Sequence, residues 1–319
     1  MSLITCPGRP MGRRARRTLR KLAGAAPFDM DAFCECLERQ SDRPVRLVPE
    51  DLWAGVPSGV YVRTADADYL CYERQTSPFH QAHVLVCLAA EVLLGGGPGP
   101  RVDRRLFPDV SPRLAELILG GAQGAGVGES AAEAFALEAM DRAAVSACPA
   151  SVARWFMRQL RPLHTALLEA KPEAARPPGT PGPEPARRRL HRQVIEIRDA
   201  ALALRPYRSQ QVIGHAAAMA RAAGLRGEAY AAAVEAGALA AAIRASQAGR
   251  PQPGQPEDTA WRAPFEPRAE LQSEAAWLAR VSRAFTRLPA VPDQPGTRWL
   301  HSIDADVAPV PGEEGTRWR

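Results

Sequence analysis

Four side chains of types that bind metals fall in one short stretch: His80, His83, Cys87 and Glu91, spaced three, four and four. On a helix such steps put all four on one face. Zinc is an ion that imidazole, thiolate and carboxylate can share. The stripe is long, however, about 16 Å at the helical rise. One ion reaches only neighbouring members, such as His83 with Cys87 or Cys87 with Glu91. A zinc site wants three or four protein ligands. The expectation is therefore no metal and no cofactor, with His83, Cys87 and Glu91 as weaker candidate ligands. Free cysteine is usually a small buried residue, and His80 and His83 read as polar groups at a helix start.

Other chemistries have less behind them. No GxSxG elbow surrounds a serine; Ser58 and Ser77 read as turn and cap residues. The glycine-rich stretches Gly95–Gly97 and Gly120–Gly128 lack the Lys-Ser/Thr of a phosphate loop. Arg13, Arg14, Arg16, Arg17, Arg20 and Lys21 form a basic run. Such a run contacts phosphates or simply forms a solvated helix face. No aromatic is interleaved to stack on bases, so nucleic acid is a secondary expectation, through Arg13, Arg14, Arg16 and Arg17.

The elements that must position these residues change character midway. At 319 residues the length suggests two domains. A helix is expected from Asp29 to about Arg39, with Asp29 as N-cap. Three short stretches follow, Pro44–Val48, Val60–Thr64 and Tyr69–Glu73, β-branched or aromatic and separated by turn chemistry. That spacing predicts a small antiparallel meander. Ser77-Pro78 opens a helix that runs to Leu94 and stops at Gly95. Two more helices are expected near Pro112–Leu119 and Glu129–Val145. Beyond Ser151 no strand pattern appears. Helices are predicted over Ser151–Ala170, with Pro162 as a kink or restart, and over Arg187–Arg205, Ser209–Arg221, Glu228–Ser246 and Glu270–Leu288.

Leu190, Val194, Ile197, Ala201 and Leu204 form a coiled-coil-like seam, ended by Pro206. Leu271, Leu278, Val281, Phe285 and Leu288 line one side of the last helix. Pro/Gly-rich stretches at 171–186 and 249–267 read as linkers. Around Glu196, i,i+4 pairing with Arg192 and a buried pair with Arg205 are expected to be structural. The organisation is then a basic segment (1–26), an α+β domain (27–148), a helical domain (149–290) and a loose tail (291–319).

Composition narrows the class. Apolar residues make up 46% and charged residues 24%, ordinary for a globular chain. Lys and Arg exceed Asp and Glu by 41 to 35, a charge of +6 that does not by itself call for nucleic acid. Six cysteines are too sparse for a disulfide scaffold. No apolar run approaches the roughly 20 residues of a membrane span, and the start lacks a secretory core. A cytoplasmic protein is expected.

The stretch from Pro57 to Tyr69, followed by Thr76-Ser-Pro-Phe-His-Gln-Ala-His-Val-Leu85, resembles the ImmA/IrrE family of zinc metallopeptidases, in particular actinobacterial members described as toxin or regulator components. The resemblance covers roughly Pro27 to Cys148 and implies a zincin-like α+β fold. In that family HExxH supplies two zinc-binding imidazoles and the Glu that activates water. The matching stretch here is Cys87-Leu88-Ala89-Ala90-Glu91. Cys87 and Glu91 stand at the ligand positions and Leu88 at the base. The family's third ligand, a Glu on a later helix, falls on Ala131; a shifted alignment brings Glu133 there. The resemblance thus implies a pseudo-peptidase with no catalytic residues, its degenerate positions being Cys87, Leu88, Glu91 and Ala131.

Leu160–Ala170, Leu190–Asp199 with Leu204–Tyr207, and Glu274–Phe285 resemble a helical domain of unknown function. In actinobacterial proteins described as putative transporters that domain follows a set of membrane helices. This likeness covers about Ser151 to Leu288 and implies nothing about catalysis. The leading expectation is a non-catalytic regulatory or interaction protein that binds a protein partner, or a second copy, through its helical stripes. The alternatives are a zinc peptidase or toxin component with rewired ligands, and a nucleic-acid-binding regulator.

Overall fold

Acidic residues at the two ends of one strand order the first sheet. The computed structural model describes residues 30–52, 58–63, 67–94, 129–142, 148–176, 184–251 and 270–288. The basic run at 13–21, the N-cap Asp29, the helix near Pro112–Leu119, both glycine stretches, most of the 249–267 linker and the 291–319 tail lie outside the described residues. Helix α1 (Met30–Ser41) leads into strands β1 (Val45–Glu50), β2 (Gly59–Arg63) and β3 (Asp68–Glu73). The sheet order is β1-β3-β2, with β1 parallel and β2 antiparallel to β3. The antiparallel meander is therefore corrected to a mixed sheet.

The physical reason lies in β3. Its neighbours Leu70 and Cys71 point to opposite faces, and both are fully buried, as suits a central strand. Asp68, fully buried, accepts from Arg63 of β2 at 2.8 and 3.0 Å and from Arg43, just before β1, at 3.4 Å. At the other end, the Glu73 carboxylate accepts the Leu52 N–H at 2.9 Å after β1, and the Glu73 N–H donates to the Ser58 carbonyl before β2. Each end of β3 thus holds both neighbours.

Helix α2 (Pro78–Leu94) crosses this sheet. Ser77 caps it: its hydroxyl accepts the His80 N–H at 3.3 Å and its carbonyl the Gln81 N–H. The helix buries Phe79, Val86, Ala89 and Ala90 completely, and Leu85 and Leu88 nearly so. A helix buried nearly all round is the centre of its unit. It packs on α1, β2, β3 and helix α3 (Glu129–Arg142). Gly59 makes the sheet contact possible: a Cβ there would sit 2.4 Å from Val84 Cγ1 and 3.0 Å from Leu88 Cδ1.

Among the described residues the second unit comprises Cys148–Arg176, 185–251 and 270–288. Its helices are α4 (Ala150–Ala170), α5 (Ala186–Ala203), α6 (Gln210–Ala222), α7 (Gly227–Gln247) and α8 (Leu271–Thr286). Helix α4 runs unbroken through Pro162. It packs on α5 and α8, α8 packs on α7, and α6 covers α7. Helix α7 buries a continuous set from Ala231 to Ala236, then Ala238 to Ala240, Ala242 and Ile243. The predicted seams are this unit's own core: Leu190, Val194, Leu204, Leu271 and Val281 are all fully buried. The stripes expected to bind a partner or a second copy are thus packed largely inside the unit, chiefly on α4, with Phe285 and Leu288 half-buried.

Two further corrections concern charge and linkers. Glu196 pairs with His164 at 2.6 Å, not with Arg205, and also accepts the Arg176 N–H at 2.9 Å. Arg176 clamps Asp199 at 2.5 Å. The start of the predicted 171–186 linker is thus a docked 3-10 turn, Pro172–Ala174, anchored at Arg176. Arg198 meets the fully buried Glu274 at 2.5 Å, and Arg208 meets Glu235 at 2.6 Å. These charges pair with one another within the helical unit.

Candidate functional site

The stripe His80, His83, Cys87, Glu91 divides once the helix is seen in place. His80 is fully buried, and its Nδ1 lies 2.9 Å from Thr76 Oγ1, closing the first turn of α2. It takes no part in a cluster with the others. His83 and Cys87, four residues apart, stand on one face of α2 toward α3. There they meet Glu133, which enters from the second turn of α3. His83 Nε2 lies 3.2 Å from Glu133 Oε2 and 3.5 Å from Cys87 Sγ; Cys87 Sγ lies 3.8 Å from the same carboxylate oxygen. The three ligand atoms fall within 4.8 Å of one another. His83 is 1% and Glu133 6% exposed, while Cys87 is half-buried and gives the group its face toward solvent.

The side chains of Glu91 and Ala131, two of the degenerate positions, lie outside the described residues. Leu88 is described, 5% exposed, and wedged beside Gly59 of β2. It carries no proton acceptor into the site.

Sequence reasoning found two of the three clustered residues and placed the third only by a shifted alignment. Glu133 had a signal of its own. It is a lone carboxylate in Ala-Ala-Glu-Ala-Phe-Ala, and a charge in such an apolar run is buried only where something receives it. Chemically the group offers an imidazole nitrogen, a thiol and a carboxylate at one point. That set can share protons among its members or hold a borderline-soft metal ion. Among the described residues this is the one group of three or more His, Cys, Asp and Glu brought close enough for a metal.

Residues 151–287, less than half the chain, match the model of DUF6545, a family of unknown function. The match covers the helical unit and agrees with the extent read from its sequence. No curated protein and no solved structure gives a match. Among the described residues no helix is long and apolar enough to cross a membrane.

Proposed function

We propose that this chain is a non-catalytic regulatory protein, pairing a peptidase-like module that has lost its water-activating base with a helical module that binds another protein. One observation carries the first half. Among the described residues the site holds a single carboxylate, Glu133, beside His83 and Cys87. Metal-assisted hydrolysis needs three protein ligands and, separately, an acceptor for the water's proton. Glu133 can serve as a ligand or as the base, but not both. Leu88, at the position the resemblance assigns to the base, is packed against the sheet instead.

The second half draws on the outer surface of the helical unit. Its seams are taken up by its own core, so recognition falls to its exposed side chains. Arg154, Arg158 and Arg161 form an exposed row along α4, at helical steps of four and three. A row of one sign favours a partner with an acidic surface, and such contacts weaken with salt.

The test uses the purified full chain, supplied with zinc and offered a mixture of peptides read by mass spectrometry. No cleavage is expected. Cleavage that disappears in Cys87→Ala would sink the non-catalytic reading. For the partner, co-purification from the native cell should be lost when Arg154, Arg158 and Arg161 are all changed to Glu. An unchanged set of co-purifying proteins would overturn the assignment of that face.

A further inference from the structure

We propose that His83 Nε2, Cys87 Sγ and Glu133 Oε2 are the three protein ligands of a site for zinc or a zinc-like divalent ion. The inference goes beyond the proposed function and does not depend on it, since an ion can be held with or without catalysis. Of the two neighbouring pairs read along the sequence, the set keeps His83 with Cys87 rather than Cys87 with Glu91, and its carboxylate comes from another helix.

Geometry makes the case. Zinc bonds of about 2.05 Å to nitrogen, 2.0 Å to oxygen and 2.3 Å to sulfur, opened to the tetrahedral angle, place the ligand atoms about 3.3 Å (N···O), 3.6 Å (N···S) and 3.5 Å (S···O) apart. The observed separations are 3.2, 3.5 and 3.8 Å. Two edges agree within about 0.1 Å and the third within about 0.3 Å of those ideal values. The three atoms already outline one face of the coordination tetrahedron.

Glu133 and Cys87 both approach the same ring nitrogen, and the Cys87 thiol also donates to Glu133 Oε2. A cation placed between the three atoms would replace the shared protons and serve all of them. A nucleophilic Cys-His-Glu relay is disfavoured by the shared ring nitrogen. Such a relay needs thiol and carboxylate on opposite ring nitrogens, so that one orients the base that the other uses.

The ligand types select the ion. One nitrogen, one sulfur and one oxygen suit zinc or its analogue cobalt; calcium and magnesium call for oxygen cages. His83 and Glu133 are buried, and the half-buried Cys87 leaves a way in. Three protein ligands leave one tetrahedral position for water or for a group from outside. Bound there, the ion would link α2 to α3.

The experiment uses the intact chain, stripped with chelator and then dialysed against zinc or cobalt. About one ion per chain should be retained. Cobalt should give a thiolate charge-transfer band in the near ultraviolet and strong visible bands of a tetrahedral site. Cys87→Ala should abolish the thiolate band, and Glu133→Gln should weaken retention by about tenfold or more. No retained ion, or an unchanged band in Cys87→Ala, would overturn the proposal. Wild-type protein supplies a second readout that needs no variant: alkylation of each thiol, followed by peptide mass. Zinc should protect Cys87 but not the partly exposed Cys34; equal rates at Cys87 with and without zinc would also overturn it. A chain that holds zinc and cleaves peptides would keep this site and refute the non-catalytic function. A chain that does neither would do the reverse.

Discussion

Gly59→Ala tests the contact on which the first unit is built. The added methyl would sit 2.4 Å from Val84 Cγ1, 3.0 Å from Leu88 Cδ1 and 3.3 Å from the Cys71 carbonyl oxygen. Ordinary carbon contacts lie near 3.5–4.0 Å, so the sheet and α2 must separate by roughly an ångström or Val84 must turn. A β-branched residue in a helix has one strongly preferred rotamer, and Val84 is 7% exposed, so turning is closed to it. Overpacking of this kind costs about 1–3 kcal/mol. Against it stands the gain from stiffening the unfolded chain, about 0.4–1 kcal/mol for Gly to Ala at a compatible backbone. The sheet contact wins, and a net loss near 1–2 kcal/mol is expected. For a unit of this size that corresponds to a fall in Tm of roughly 4–15 °C. The assay is thermal unfolding of the full chain, with hydrogen exchange at β2 and α2 to assign the change to this unit. Val84→Ala in the same background should return part of the loss, a coupling that a double-mutant cycle reads directly. Unchanged stability in Gly59→Ala, or a purely additive cycle, would refute the reasoning.

Two further outcomes follow from buried charge. Glu274→Gln removes the partner of Arg198 from a fully buried position and should cost the helical unit about 3 kcal/mol, seen as a lower denaturant midpoint. Burial, and then the neighbouring Asp68 charge, push the Tyr61 phenol well above its ordinary value of 10.0; burial, and then Cys34, raise Tyr72. These phenols keep their protons when folded and lose them when unfolded, so stability should be full below pH 10 and decline above it. A chemical-denaturation series from pH 8 to pH 11 checks this, and Tyr61→Phe should flatten the decline.

The helices were legible because their signals are local. Ser77-Pro78 marks the start of α2 by capping chemistry alone, and the steps from Leu190 to Leu204 mark the core face of α5. Sheet order was less legible, because it depends on residues far apart in the chain. Asp68 reaches Arg43 across 25 residues, and nothing near either residue announces the pairing. Adjacent Leu70 and Cys71 did hint at a strand buried on both faces, which an edge strand of a meander need not be. At Gly59 only the approach of Val84 shows that the missing side chain is what matters. The site divides in the same way. His83 and Cys87 are visible as an i,i+4 pair, whereas Glu133 lies 46 residues beyond Cys87 and joins them through the packing of α3 on α2.

Helix α7 has a consequence for how this sequence can drift. Nearly every turn of it is alanine, and those alanines are buried on several sides rather than along one stripe. A single base change in an alanine codon gives valine, threonine, serine, proline, glycine, aspartate or glutamate, or is silent. Each amino-acid change brings bulk, a polar group, a broken helix or a looser one into a space cut for a methyl. The helix therefore has few neutral neighbours in sequence space, and variants of this unit should accumulate on α6 while α7 stays nearly fixed.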